Sequence, residues 1–79
     1  MTKKQAIKRI LNSKMDDEKK IMLCSLASDF DTFKAIKKRY SNRGLLAACY
    51  KNLGFKFIGM YGINSIDDIV SCAENNSLL

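Results

Sequence analysis

The sequence contains no proline, no tryptophan and no histidine. Without histidine it lacks the commonest general base, the usual partner of a catalytic serine or cysteine, and the commonest metal ligand. No acid–base pair or nucleophile–base pair is visible among the other residues, so we expect no enzymatic activity, no metal and no other cofactor. The absence of proline favours a mainly helical chain.

Long apolar runs are also missing. The longest run, residues 45–50, is far shorter than the roughly 20 residues that span a bilayer. Lys8 and Arg9 interrupt the place where a secretion signal would have its apolar stretch. We therefore expect a protein that neither crosses nor binds a membrane.

Cysteine is present in an odd number, three, and no two cysteines have the spacing of a zinc site. Each cysteine has apolar neighbours, which favours small buried side chains over reactive thiols. These residues are Cys24, Cys49 and Cys72. Free thiols predict a reducing compartment, and we expect the protein to be cytoplasmic.

What remains is typical of one small globular domain. The chain has 79 residues, of which 47% are hydrophobic and 28% charged, and this balance excludes a disordered protein. We expect a single helical domain over residues 1–79. The last residues, 75–79, should fray.

Apolar residues at helical spacing, together with capping residues, predict an all-α fold: a compact bundle of four to five short helices. The predicted helices span about residues 3–12, 16–28, 30–40, from just after Ser41 or Asn42 to residue 53, and 65–74. The second helix has almost no polar face, which places it at the centre of the fold. Residues 55–62 alternate like a strand but have no partner strand, so we predict an irregular or short helical segment.

Thr2 with Gln5 and Ser65 with Asp68 have capping-box spacing, and Asp29 or Ser28 is the expected cap of the third helix. Asp16 falls in the first turn of the second helix, and Gly54 is the expected left-handed stop of the fourth.

The helical stripes also predict which side chains face the core. Helix 1 should bury Leu11 beside its other apolar residues, and helix 2 should bury Ile21. Tyr40 recurs at helical spacing after Phe33 and Ile36, and it should therefore face inward from helix 3.

Charge is strongly segregated along the chain. The net charge is +6, and all fourteen basic residues lie at or before Lys56, whereas residues 57–79 contain only acidic charges. Two basic clusters stand out, and such clusters are typical of a surface that binds phosphate, although a solvated surface gives the same pattern. The first consists of Lys3, Lys4, Lys8, Arg9 and Lys14, and the second of Lys34, Lys37, Lys38, Arg39 and Arg43.

The second cluster falls on a possible helix-turn-helix-like pair over about residues 30–53. In such a pair the beginning of the second helix enters the major groove of DNA. Here that position holds Ser41, Asn42 and Arg43, which can hydrogen-bond bases or phosphates. The usual turn glycine is missing, and an ordinary helical hairpin explains the same residues.

Residues 62–69 resemble the hairpin and second helix of helix-hairpin-helix nucleic-acid-binding modules, whose glycine turn holds a phosphate through backbone N–H groups. The sequence departs from that pattern at Asn64, which replaces a glycine, and at Asp67 and Asp68, which would repel phosphate. A glycine stop at Gly62 followed by a Ser65 helix cap is the alternative.

Two functions from different classes are compatible with these features. The first is a small basic nucleic-acid-binding protein, a transcriptional or mobile-element regulator, whose contacts are Lys34, Lys37, Lys38, Arg39, Ser41, Asn42 and Arg43, with help from Lys4, Lys8 and Arg9. The second is a protein–protein interaction module or inhibitor that docks on an acidic surface of a partner enzyme. Salt-dependent binding to DNA or RNA separates the two.

Overall fold

The computed structural model describes residues 1–40 and 43–77, and every regular element in these ranges is helical. The elements are α1 (Lys3–Leu11), α2 (Asp17–Ser28), α3 (Phe30–Arg39), α4 (Leu45–Leu53), a 3-10 helix (Ile58–Gly62) and α5 (Ile66–Glu74). This confirms the predicted all-α fold of short helices and the short helical segment before α5. Each of the described helices is too short to cross a membrane.

Side-chain caps fix the beginnings of three helices. The hydroxyl of Thr2 accepts from the N–H of Gln5 at 3.1 Å, and the Gln5 side chain accepts from the N–H of Thr2 at 2.9 Å. The carboxylate of Asp16 accepts from the first turn of α2. Ser65 and Asp68 form a second capping box at α5. The two capping boxes are the ones that the sequence predicted, and each satisfies backbone donors that a helix leaves unpaired.

Asp16 was expected in the first turn of α2 and is instead its cap. The cap expected for α3 from Ser28 or Asp29 is wrong, because no side-chain hydrogen bond among the described residues caps that helix.

Helices α1 and α2 form an antiparallel hairpin. Lys3 at the beginning of α1 donates to the carbonyl of Ser28 at the end of α2, and Lys20 near the beginning of α2 donates to the carbonyl of Leu11. Helix α5 packs on both of them, and α4 packs on α3. The fully buried side chains between these layers include Ile10, Leu23, Leu26, Phe33, Leu45, Met60 and Ile69.

Three of the predicted inward-facing residues are instead at the surface. Leu11 is 55% exposed and Ile21 is 65% exposed. Both lie at the edge of an apolar stripe, and the helices of the described residues provide no further layer to cover them. Helix α2 contacts α1, α3 and α5, but it still has one side in solvent.

Tyr40 is the third such residue, with 38% of its surface exposed. Helix α3 ends at Arg39, and the backbone of Tyr40 is extended (φ −109°, ψ 116°). Because α3 stops before Tyr40, the ring lies in the open groove between α3 and α4 and not in the core, so the prediction that Tyr40 is buried with Ile36 is wrong.

Helix α4 begins later than the sequence predicted. Gly44 precedes it in the left-handed conformation (φ +80°), which an α-helix cannot continue through. Arg43 therefore lies in the connection between α3 and α4 and not in the first turn of α4. Ser41 and Asn42, the other two residues predicted at this turn, lie outside the described residues.

The segment between α4 and α5 closes one end of the core. Phe55 and Phe57 are half-buried against it, and Met60 in the 3-10 helix is fully buried. After α5 the N–H of Asn76 donates to the carbonyl of Ala73 and that of Ser77 to Cys72, which is a Schellman motif. Fraying was expected from residue 75, but residues 75–77 are hydrogen-bonded back to α5.

Candidate nucleic-acid interface

Helix α3 presents three cations to solvent. Lys34 and Lys38 are one helical turn apart, and both border a surface groove between α3 and the segment before α5. This groove has a volume of about 350 Å³, and Ile63 and Asn64 form its opposite wall. Arg39 projects toward α4, on the other side of α3.

A second groove of about 340 Å³ lies between α3 and α4. Arg39 from α3 and Lys51 from α4 border it, and Thr32, Tyr40 and Asn52 add polar groups to its wall. None of the described residues that line it is acidic. The groove is therefore positively charged, which suits an anion.

Five cations of this region make no ion pair within the described part of the chain. We call them the basic surface. They are Lys34, Lys38, Arg39, Arg43 and Lys51, and each is exposed. Exposed cations without a carboxylate partner keep their charge available for phosphate.

Lys37 differs from its neighbours on α3. Its ammonium donates to the carbonyl of Tyr61 at 3.0 Å, to the carbonyl of Ile63, and to Oδ1 of Asn64 at 2.9 Å. Burial lowers the pKa of Lys37, and the carboxylate of Asp68 opposes that shift. An ammonium has three donors, so all of those on Lys37 are used inside the fold. We therefore assign Lys37 to holding the turn before α5.

The cations of α1 divide into two kinds. Arg9 makes a bidentate pair with Glu74 of α5 at 2.7 and 3.0 Å, and Lys3 lies 3.3 Å from the carboxylate of Asp31. Lys4 and Lys8 are exposed, and no described carboxylate pairs with them. Of the three α1 residues predicted to bind nucleic acid, Lys4 and Lys8 keep an available charge, whereas the charge of Arg9 is compensated.

The turn that resembles a helix-hairpin-helix has its backbone donors occupied. The carboxylate of Asp68 accepts from the N–H of Asn64 at 2.8 Å and from that of Ser65 at 3.0 Å. These hydrogen bonds lower the pKa of Asp68. A phosphate at this turn would have to displace a carboxylate, so the helix-cap interpretation accounts for these residues.

Other candidate chemistry is not assembled by the fold. Among the residues that the structure describes, no group of three or more cysteine, aspartate or glutamate side chains could hold a metal ion. All three cysteines are free. Cys49 is buried and the other two are half-buried, and burial raises the pKa of each thiol.

Two residues at the basic surface were missed by the sequence analysis as binding residues. Tyr40 was assigned to the core because of its spacing, and Lys51 belongs to neither of the two predicted basic clusters. A signal for Lys51 exists, since it lies one turn after Ala48, which packs toward α3. Nothing in the local sequence shows that α3 ends before Tyr40.

Comparison of the chain with models of protein families, with curated proteins and with solved structures gave no match.

Proposed function

We propose that this protein binds nucleic acid through the basic surface, in a regulatory role in transcription or in a mobile element. The observation that supports this is the presence of five exposed cations, without a described carboxylate partner, along two sides of α3, on α4 and in the connection between them. Such a surface attracts phosphates and gains affinity when the nucleic acid releases its counterions. Lys4 and Lys8 of α1 provide additional charge.

The proposed contacts are mainly to phosphate. Arg43 lies before α4 and not on its first turn, so α4 does not present it as a recognition helix presents its first residues. Phosphate contacts set affinity and position but carry no sequence information. We therefore expect binding with little sequence preference. Ser41 and Asn42 stay predicted contacts.

Charge reversal with a matched control tests the proposal. The variant Lys34→Glu/Lys38→Glu changes the basic surface, and Lys14→Glu/Lys19→Glu changes the net charge equally around the α1–α2 loop. That loop lies at the end of the hairpin opposite to Lys3, which contacts the beginning of α3 through Asp31. All four lysines are exposed, so neither variant should unfold the protein.

The measurement is fluorescence anisotropy of labelled DNA and RNA oligonucleotides over a series of salt concentrations. Each phosphate contact contributes a log–log slope of about −0.9 on duplex DNA and about −0.7 on single strands. We expect the basic-surface variant to lose roughly two contacts' worth of slope and the control variant to keep the wild-type slope.

Two results would contradict the proposal. Equal weakening by both variants would mean that net charge, and not the basic surface, governs binding. Absence of binding to any DNA or RNA at low salt would leave the other hypothesis, an acidic protein partner. In that case Lys34→Glu/Lys38→Glu should abolish the protein complex.

A further inference from the structure

Tyr40 is an exposed aromatic ring held at the edge of the basic surface. It follows the last residue of α3 and lines the groove between α3 and α4 beside Ile36. The ring lies beside Gly44, where an added Cβ would come 3.6 Å from Cδ1 of Tyr40. The guanidinium carbon of Arg39 lies 5.9 Å from the centre of the ring. The ring is thus bounded by backbone and by a cation, and 38% of the residue stays open to solvent.

The groove beside Tyr40 has the polar groups that a nucleotide needs. Arg39 and Lys51 supply positive charge for a phosphate, and the hydroxyl of Thr32 can donate or accept. Asn52 donates one amide hydrogen to the carbonyl of Ala48 at 2.8 Å, which fixes its side chain and leaves Oδ1 available as an acceptor. The volume of about 340 Å³ lies within the range of small-molecule sites.

From this geometry we infer that the groove binds one nucleotide unit of a single-stranded nucleic acid, with the unpaired base stacked on Tyr40 and the phosphate between Arg39 and Lys51. The inference rests on the proposed function and narrows its ligand. Aromatic rings stack only on bases that are not covered by neighbours in a duplex, and they accept any base. An exposed ring beside cations therefore adds affinity for a single strand, whose bases it can stack on, and adds little affinity for a duplex.

The experiment compares single-stranded and duplex oligonucleotides of the same sequence, as DNA and as RNA, with three variants. Tyr40→Ala removes the stacking ring, and Tyr40→Phe keeps it. Tyr50→Ala is the matched control, because Tyr50 is 59% exposed with Lys56 at 5.7 Å from its ring but lies outside the groove. Far-UV circular dichroism checks that each variant stays folded.

We expect the wild-type protein to prefer single strands. Tyr40→Ala should weaken single-strand binding about tenfold, in the range measured when a stacking aromatic ring is removed, and change duplex binding little. Tyr40→Phe and Tyr50→Ala should bind as the wild type does. Ultraviolet cross-linking to a single strand should modify the tryptic peptide of residues 40–43. The DNA and RNA arms show which sugar is preferred.

Several outcomes would overturn the inference. If Tyr40→Ala weakens single-strand and duplex binding equally, or if it weakens neither, stacking at Tyr40 is refuted. The proposed function stands in both cases. If Tyr50→Ala weakens single-strand binding as much as Tyr40→Ala does, stacking is not specific to the groove and the inference is wrong. If the chain binds no nucleic acid but does bind an acidic polypeptide such as polyglutamate, both the inference and the proposed function fail.

Discussion

Helices α1 and α3 carry similar runs of basic residues, but their cations meet different partners. On α1, Lys3 and Arg9 face the carboxylates of Asp31 and Glu74, so part of the charge is compensated within the protein. Of the cations on α3, only Lys37 makes side-chain hydrogen bonds within the described part of the chain, and its partners are carbonyl and amide oxygens, which do not neutralise its charge. Two clusters that look alike in the sequence therefore present different potentials to a ligand.

A second contrast lies within α3 itself. Lys37 and Lys38 are adjacent, yet the first holds the turn before α5 and the second is exposed. The difference arises because neighbouring residues on a helix point in directions about 100° apart. Charge alone does not distinguish a structural lysine from a binding lysine. The distinction depends on whether oxygen acceptors of the protein lie within reach of the ammonium group.

The largest effect on stability should come from Lys37→Ala. Three oxygen atoms at the turn before α5 would lose their common donor, which we expect to lower the free energy of unfolding by about 1–3 kcal/mol. Urea unfolding measures the loss. The adjacent substitution Lys38→Ala is the control and should change stability by less than about 0.5 kcal/mol. Equal losses from the two variants would contradict the distinction between them.

For the salt dependence of nucleic-acid binding, we expect Lys38→Ala to have the larger effect and Lys37→Ala the smaller one. Lys38→Ala should make the salt dependence shallower by about one contact. Lys37→Ala should leave the slope close to that of the wild type as long as the protein is folded. If Lys37→Ala instead changes the slope more, Lys37 contacts phosphate and its assignment to the turn is wrong.

Asp68 stabilises the same turn by accepting hydrogen bonds from its backbone N–H groups. Its contribution to the free energy of unfolding should be smaller than that of Lys37 and should depend on pH. Hydrogen bonds from Asn64 and Ser65 lower its pKa in the folded protein below the unfolded value of about 3.9. Its contribution is therefore complete above that value and is lost as the pH falls through the folded pKa. We expect Asp68→Asn to cost about 1 kcal/mol at neutral pH.

Urea unfolding of the wild type and of Asp68→Asn at neutral and acidic pH measures this contribution of the Asp68 charge to stability. The difference between the wild type and Asp68→Asn should shrink as the pH falls below about 4, because a protonated aspartate resembles asparagine. Asp67→Asn, an exposed neighbour in the same helical turn, is the control and should leave the pH profile unchanged. A gap that stays constant with pH would refute the role of the Asp68 charge.

The smallest effect on stability should come from freeing the paired cations of α1, so that they resemble the two exposed lysines of α3, which have no described carboxylate partner. The variant Asp31→Asn/Glu74→Gln removes the carboxylates that face Lys3 and Arg9. Exposed ion pairs contribute roughly 0–1 kcal/mol each, so stability should fall only slightly. The two released cations should steepen the salt dependence of nucleic-acid binding by up to about two contacts.

Asp17→Asn/Glu18→Gln is the control for that variant, because it raises the net charge equally on α2 at carboxylates that pair with neither Lys3 nor Arg9. It should leave the slope unchanged. A steeper slope in both variants would show that net charge alone sets the binding, and the comparison of α1 with α3 would lose its basis.

The sequence predicted the fold well because the relevant signals are local. Thr2 and Ser65 cap the helices that they were expected to cap, since a cap depends on residues only one turn away. Gly54 likewise ends α4 in the left-handed conformation, as predicted. The late beginning of α4 was missed because a glycine can serve either inside or before a helix.

The site was less predictable because its differences depend on distant contacts. The oxygen acceptors of Lys37 lie more than twenty residues later in the chain, and Glu74 meets Arg9 across nearly the whole sequence. Neither contact leaves a mark on the local pattern of charge. Tyr40 lies in the groove just past the end of α3, and the apolar stripe of α3 does not reveal where that helix ends.

The most direct test of the central claim, that ligand contacts concentrate on the basic surface, is an NMR titration of the labelled protein with a single-stranded oligonucleotide. We expect the amide signals of Lys34, Lys38, Arg39, Tyr40 and Lys51 to shift in proportion to occupancy, while those of Lys3 and Arg9 stay in place. Shifts that concentrate on α1, or that spread evenly over both helices, would contradict the account.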